Sequence, residues 1–313
     1  MKVAVLSPTN GGPLFWAKHL ASSLTYNSIE AHLIYSPRHL LLSPFMKDVD
    51  LFHAAVPLFF SAFRKPIVLT VKGDITIEKN IWKVPYYLAI RKADAITTPS
   101  RYLQEKLDLD QALVIPNAVV ANQYQVVHHC KKDTITLISI TNFEFKDKSE
   151  GVLELIKIVG AIQNEINIPV NYFIAGGGHY LEYIKKKVPE VGFNLTFTGF
   201  LSDTRQLLER GDIFLYCSVH DNFPNVLLEA MASGIPVITN KVGAIPEMIT
   251  SERDGFVCDD TESFKENLIS LIEDPSLRGT IGGNARKRVK RDFNWDSIIP
   301  KYITLYKNVL THS

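Results

Sequence analysis

The sequence predicts an α/β protein of two doubly wound domains. Three observations carry this. Short apolar runs alternate with amphipathic stretches along all 313 residues. The alternation lapses once, in the polar stretch NQYQVVHHCKK (122–132), and then restarts. The length suits two domains at roughly 100–200 residues each.

The first half opens on VAVLS (3–7), a buried strand, followed by the amphipathic PLFWAKHLASSL (13–24). AHLIYS (31–36), LFHAA (51–55) and IVLTV (67–71) read as further strands. YYLAIRKAD (86–94) is helical, AITTPS (95–100) strand-like, RYLQEKL (101–107) helical, and ALVIPNAV (112–119) closes the half. Strand, helix and strand in series means parallel strands joined by helices. After the linker come a strand at 134–140, a helix at 150–162, a strand at 170–176 and the helix YLEYIKKKV. Strands at 195–200 and 213–218 flank the short helix DTRQLLERG. A helix within HDNFPNVLLEAMASGIPVI (220–238) follows, then strands at 236–240 and 255–258. Helices around 261–272, 276–291 and 297–310 end the chain. There is no short-period repeat and no low-complexity tract.

Composition removes several classes. Lys and Arg number 34 against 33 Asp and Glu, a net charge of +1, so no bulk charge asks for nucleic acid or membrane. Cys130, Cys217 and Cys258 are odd in number and far apart, without disulfide or zinc spacing. The start MKVAVLSPTNGG lacks the apolar core of a signal peptide. No apolar run approaches the roughly 20 residues that span a bilayer. A soluble cytoplasmic protein is the expectation.

In open parallel sheets ligands bind beyond the carboxyl ends of the strands, so loops that follow strands are the candidate sites. SPTNGGP (7–13) follows the first strand. Its Gly11 and Gly12 leave backbone N–H groups open to a phosphate at a helix N-terminus. A plain tight turn is the alternative. No dinucleotide or P-loop fingerprint is present. AGGGHY (175–180), with Gly176, also follows a strand. In HDNFPNVLLEAMASGIPVI, Cys217 and Ser218 end a strand. Asn222 can cap the helix, Pro224 suits its first turn, and Gly234 with Pro236 ends it. Asp221 lies just before the helix, and Glu229 projects from the second turn. The N–H groups from Phe223 to Val226 lack helical acceptors. That set suits an anionic, hydroxyl-rich ligand; a capped helix with a buried, paired glutamate would leave the same trace.

These residues resemble the retaining glycosyltransferase family 4, the glycosyl transferases group 1. The match lies in FTGFLSDTRQLLERGDIFLYCSVHDNFPNVLLEAMASGIPVITNKVGAIPEMITSERDGFVC and extends through AGGG, KSEGVLELI, VIPNAV, RKADAITTPSRYLQEKL and SPTNGG to the closing helices. The family has a pair of acids with seven residues between them, and a Gly-Gly-Ile-Pro-Glu stretch that is Gly243-Ala244-Ile245-Pro246-Glu247 here. The resemblance implies the GT-B fold, with two Rossmann-like domains facing across a cleft. The acceptor side would be residues 1–120, the nucleotide-sugar side 121–296, and a helix at 297–313 would cross back onto the first domain. It implies retaining transfer of a sugar from a nucleotide diphosphate, without a metal or other cofactor, by a front-face route. The departing diphosphate then helps to take the acceptor's proton.

Carried over by position, Glu229 holds the donor ribose and Asp221, one methylene shorter than the family's first acid, meets the transferred sugar. Phe223, Pro224, Asn225 and Val226 fall on the motif's amides, though Pro224 has no N–H to give. Gly11 and Gly12 fall on the loop near the diphosphate. Two departures stand out. Where the family often has His-Gly after the strand at 67–71, this chain has Lys72-Gly73-Asp74. The family's diphosphate Arg and Lys become ITNFEFKDKSEG, with no arginine. Asn142 lies nearest the missing arginine, Lys148 fits the lysine, and Lys146 is the reserve. Lys72 and Lys148 would together form the clamp.

VPLFFSAFRKP (56–66) and IEKNIWKVPYYLAIRK (77–92) mix aromatics with cations and suit either a peripheral membrane face and lipid-linked acceptor or core rings beside solvated lysines. NARKRVKR (284–291) reads as a solvated helix end rather than a nucleic-acid patch, and DLD (108–110) and DD (259–260) as surface. Two rival functions share this fold: an epimerase-type nucleotide-sugar enzyme, and a non-catalytic sugar-nucleotide-binding subunit.

Overall fold

The computed structural model describes residues 1–58, 62–76, 83–128, 130 and 133–312. Parts of the two aromatic and basic stretches, at 59–61 and 77–82, and of the linker, at 129 and 131–132, lie outside the described residues. The chain divides into two compact units. One is Met1–Ala118 with Phe293–Ser313, and the other is Val119–Asp292.

The first unit is a six-stranded sheet in the order β2-β1-β3-β4-β5-β6. Its strands are β1 (Lys2–Leu6), β2 (Glu30–Ile34), β3 (Leu51–Ala54), β4 (Ile67–Thr70), β5 (Ala95–Thr98) and β6 (Leu113–Val114). Every pairing is parallel. A parallel sheet covered on both faces wants continuous apolar strands, and β3 and β4 are buried at every position. Helices α1 (Gly11–Tyr26), α2 (Pro37–Leu42), α3 (Lys83–Lys92) and α4 (Arg101–Lys106) join the strands. Leu6, Phe52 and Leu69 centre one core cluster, against which Leu40 of α2 and Tyr86 and Ile90 of α3 pack.

The second unit is a six-stranded parallel sheet in the order β12-β11-β10-β7-β8-β9. Its strands are β7 (Ile135–Ile140), β8 (Val170–Ala175), β9 (Asn194–Gly199), β10 (Ile213–Tyr216), β11 (Val237–Asn240) and β12 (Phe256–Cys258). The helices are α5 (Lys146–Ile162), α6 (Leu181–Lys187), α7 (Arg205–Leu208), α8 (Asn225–Ala232), α9 (Ile245–Met248), α10 (Thr261–Glu273) and α11 (Pro275–Asp292). The chain builds outward from β7 to β9, then returns to β7's other side with β10, so the order reverses between β7 and β10.

The last helix, α12 (Trp295–Thr311), belongs to the first unit. Its apolar stripe of Ile298, Tyr302, Tyr306 and Val309 is buried. Tyr302 meets the Trp16 ring at 6.1 Å, and the Tyr306 hydroxyl bonds His53 Nδ1 at 2.5 Å.

Three elements differ from the sequence reading. Helix α2 was not expected, although Ser36 caps it through His39 N–H and Pro37 opens it. The stretch 112–119, read as closing the half, is a strand only at Leu113–Val114; Pro116 has no N–H for a ladder. The stretch 284–291 is not merely a solvated helix end. Arg286 donates to the Tyr124 and Ala232 carbonyl oxygens, and Arg288 to Glu247 O, Thr250 Oγ1 and Asp254 Oδ2. Asp260 is on the surface as read, and it also caps α10 in a reciprocal box with Ser263.

Candidate functional site

Where strand order reverses, two neighbouring loops diverge and leave a crevice. In the second unit the loops after β7 and β10 flank that point. The first carries Asn142 and runs into α5, whose first turn holds Lys146 and Lys148; the second carries Asp221.

Two glycines press these loops together. A Cβ on Gly151, in α5, would lie 2.0 Å from the Cys217 carbonyl oxygen. A Cβ on Gly243 would lie 1.6 Å from the Asp221 carbonyl oxygen, and its φ of +54° is one that side chains disfavour. Both glycines stand in the quoted motifs, where neither was read as having a role. Held this way, Lys148 donates from Nζ to Asp221 Oδ2 at 2.5 Å, with the side chains 26% and 8% exposed. The Tyr216 hydroxyl, from the last residue of β10, donates to the same oxygen. Sequence reading missed Tyr216, because an aromatic at the end of a buried strand reads as core. Burial and the neighbouring Asp221 carboxylate push its phenol pKa well up, so it stays a neutral donor.

The other residues of the first loop take different places. Asn142 accepts the Glu144 N–H at 3.0 Å and so builds a turn of its own. Lys146 is 56% exposed and lies 3.7 Å from Glu150, away from the Asp221 pair. Gly176 follows β8 with φ +142°, where a Cβ would lie 1.9 Å from the Thr141 carbonyl oxygen. It allows close packing of two loops.

Helix α8 starts at Asn225, one turn element later than expected: Pro224, not Asn222, is the flanking residue, extended at φ −71° and ψ 108°. Among the described residues no side chain caps this end. The N–H groups of Asn225 and Val226 have no intrahelical acceptor, and Asn225 Oδ1 is buried with no partner among the described residues. Phe223 is buried beside them. Glu229, half-buried in the second turn, accepts the Thr204 hydroxyl at 2.9 Å through Oε2. Burial raises its carboxyl pKa, and the Thr204 bond partly opposes this.

In the first unit, Gly11 begins α1 at φ +76°, and a Cβ on Gly12 would meet nothing within 4 Å. Among the described residues no side chain caps α1 at Asn10, and the first N–H groups of a helix lack intrahelical acceptors. Lys72, just after β4, donates to Asn117 Oδ1 at 2.6 Å and sits 4.4 Å above the Trp16 ring. It has no carboxylate partner among the described residues, and burial lowers its amine pKa well below the usual lysine range. Asp74, two residues on, is buried and pairs with Lys106 at 2.7 Å. Among the described residues no three His, Cys, Asp or Glu side chains gather into a metal site, and no helix is long and apolar enough to cross a membrane.

The family model for glycosyl transferases group 1 matches residues 122–288, which hold this whole second-unit cluster. The chain belongs to the glycosyl transferases group 1. Among curated relatives of this glycosyltransferase, the N-acetyl-alpha-D-glucosaminyl L-malate synthase of Bacillus anthracis is 28% identical over 88% of this chain and 81% of its own. The human alpha-1,3/1,6-mannosyltransferase ALG2 is 32% identical over 82% of this chain and 72% of its own. Among solved structures, Anabaena HepE in complex with UDP and glucose superposes with a TM-score of 0.78 at 18% identity, covering 98% of this chain and 100% of that one. The glycosyltransferase therefore has the GT-B fold, with a six-stranded parallel Rossmann-like sheet in each unit.

Proposed function

We propose that this glycosyltransferase transfers a sugar from a UDP-sugar to a hydroxyl acceptor with retention of anomeric configuration. The observation that carries the reading is the cluster of Lys148, Asp221 and Tyr216 at the strand-order reversal of the second unit, near an uncapped helix and Glu229. Each part suits one part of such a donor. Glu229 accepts the ribose hydroxyls. The free N–H groups that open α8 and the Lys148 ammonium meet the diphosphate, where helix N-termini favour anions. Asp221 accepts a hydroxyl of the transferred sugar. The bond from C1 to the phosphate oxygen breaks as a bond from C1 to the acceptor oxygen forms on the same face. The acceptor's proton passes to the departing diphosphate, so stabilising that leaving group is the main catalytic task. Chemistry of this kind needs no metal.

The UDP found in the HepE complex and the N-acetylglucosaminyl group in the name of the Bacillus relative support UDP-N-acetylglucosamine as the first donor to test, ahead of GDP-sugars. A thermal-shift screen of UDP, GDP and their sugars should show stabilisation by the UDP series, since a ligand that binds only the folded chain raises its stability. NMR of the product should show the donor's anomeric configuration; inversion defeats the mechanism. Incubation with donor alone should release no new sugar nucleotide, which separates transfer from epimerisation.

The acceptor and the cellular place belong to the first unit in this reading. Residues 1–118 with 293–313 carry 15 Lys and Arg against 10 Asp and Glu, whereas 119–292 carry 19 against 23. On the layer of α2 and α3, Leu41, Phe45, Val84 and Leu88 are each more than half exposed beside exposed Arg38, Lys47, Arg91 and Lys92. That mixture supports a cytoplasmic enzyme that touches an anionic membrane surface peripherally and draws its acceptor there.

A further inference from the structure

Two donors share one oxygen of Asp221. Lys148 Nζ and the Tyr216 hydroxyl both reach Oδ2, while Oδ1 accepts nothing from the described residues. The two donors differ in freedom. Tyr216 is 4% exposed at the end of a buried strand, with a rigid ring and a single O–H. Lys148 stands on the first turn of α5 on a four-carbon stem with three donors, and it is 26% exposed. A tyrosine is redundant if the lysine stays on the carboxylate. It is needed if the lysine leaves.

We propose that Tyr216 is a positioning residue that keeps the Asp221 carboxylate oriented toward the transferred sugar when Lys148 is handed over from Asp221 to the diphosphate of the incoming donor. This rests on the donor reading above. The electrostatics favour the exchange. A diphosphate at the α5 and α8 N-termini offers Lys148 more negative charge than one carboxylate, and three N–H donors allow it to swing without losing every bond. Asp221 would then lose its ammonium partner. An aspartate is one methylene shorter than the glutamate of the related motif, so its reach depends on what holds it. The Tyr216 hydroxyl, pinned by the sheet, is the group that remains. Oδ1 stays available to accept the sugar hydroxyl.

The test removes one oxygen. Tyr216→Phe should bind UDP within about twofold of the parent by calorimetry, because UDP lacks the transferred sugar that Asp221 would meet. Its affinity for UDP-N-acetylglucosamine, or kcat with that donor, should fall by about tenfold, the scale of one hydrogen bond to a charged group. In an Asp221→Asn background the same change should cost much less, because contacting residues that act together are not additive. Equal losses for UDP and UDP-N-acetylglucosamine, or full additivity with Asp221→Asn, overturn the hand-over and leave Tyr216 a packing residue. Should Tyr216→Phe not fold, a Lys148→Met chain decides the matter: it should lose UDP affinity, and unchanged UDP affinity overturns the transfer of the lysine. A parent that binds neither UDP nor UDP-N-acetylglucosamine overturns the donor reading itself, a different outcome from a parent that turns over normally alongside an equally active Tyr216→Phe.

Discussion

Lys148 and Lys72 each stand a few residues beyond a parallel strand, one in each unit, and their surroundings are opposite. Lys148 bonds a carboxylate at the strand-order reversal, on the first turn of a long helix. Lys72 bonds an amide oxygen, lies over an indole and has no carboxylate partner among the described residues. Desolvation without a counter-ion pushes an ammonium toward its neutral form. The second unit thus holds its lysine on a carboxylate, whereas burial in the first lowers its lysine's hold on the proton. The two were expected to act together as one clamp. In the donor reading proposed above, Lys148 is the lysine expected to supply the fixed charge.

The sharpest way to break this comparison is to remove each amine. Lys148→Ala should lower kcat by about a hundredfold or more, since one preorganised group on developing charge contributes roughly 2.7–4 kcal/mol. The change in KM should be smaller, because the charge on the leaving diphosphate grows toward the transition state. Lys72→Ala should cost less. Lys72→His should recover activity if the role is a hydrogen bond and little if it is charge. Steady-state kinetics on purified variants decides it, and equal losses for the two alanine variants would erase the distinction.

Glu229 sharpens the comparison within the second unit. Glu229→Gln should weaken donor binding by about tenfold in calorimetry, since bonds to charged groups contribute roughly 1.5–3 kcal/mol. It carries a second signature. Burial raises this carboxyl's pKa in the folded chain, so the folded state holds its proton more tightly than the unfolded state. Stability then falls as pH rises above the unfolded value of about 4.3. Glu229→Gln should therefore melt higher than the parent at pH 7 in the absence of ligand, with the gap closing as the pH approaches 4. A gap that does not depend on pH would place the carboxylate in water.

Much of this was legible in the residues, for identifiable reasons. Buried parallel strands need continuous apolar runs, so VAVLS and TITLISI could be read directly as β1 and β7. Asp221 and Glu229 stood out because acids flanking an apolar helix entrance are unusual. What stayed hidden depended on contacts remote in sequence. Lys148 and Asp221 are 73 residues apart, and only the return of the chain to β7's other side joins them. Tyr216 carried no signal, since its hydroxyl partner is set by the loop after the strand. Gly151 looked like an ordinary helix residue until its missing side chain proved to be where Cys217 approaches. Arg286 and Arg288 looked solvated because the groups they bond, backbone carbonyls and, for Arg288, Thr250 and Asp254, lie far off in sequence.

The first unit's exposed apolar layer offers a weaker contrast. Sedimentation with vesicles should bring down more protein when anionic lipid replaces part of a zwitterionic bilayer, and less with Phe45→Ser and Leu88→Ser together. Each Lys or Arg near an anionic surface contributes about 1 kcal/mol, screened by salt. Binding should therefore fall several-fold between low and physiological ionic strength. Equal sedimentation with both lipids would separate the basic excess of this unit from membranes altogether.

The smallest effect expected concerns stability and gives the two lysines opposite signs. The folded pKa of Lys72 is depressed by burial, so between that value and the unfolded value of about 10.4 the unfolded chain binds the extra proton. Stability therefore rises with pH across that window, and at pH 7 Lys72 costs the fold something. Its place over Trp16 returns part of this, at about 0.5–1 kcal/mol for an exposed contact and more when desolvated. Lys72→Met keeps the length of the stem and removes the amine. It should melt slightly above the parent at pH 7, with the advantage shrinking toward pH 10. Lys148→Met removes the ammonium from a mostly buried carboxylate and should melt below the parent at pH 7. Thermal melts of the two methionine variants across pH 6 to 10 measure both. Shifts of the same sign would mean that the carboxylate of Asp221, present beside one lysine and absent from the other, is not what distinguishes them.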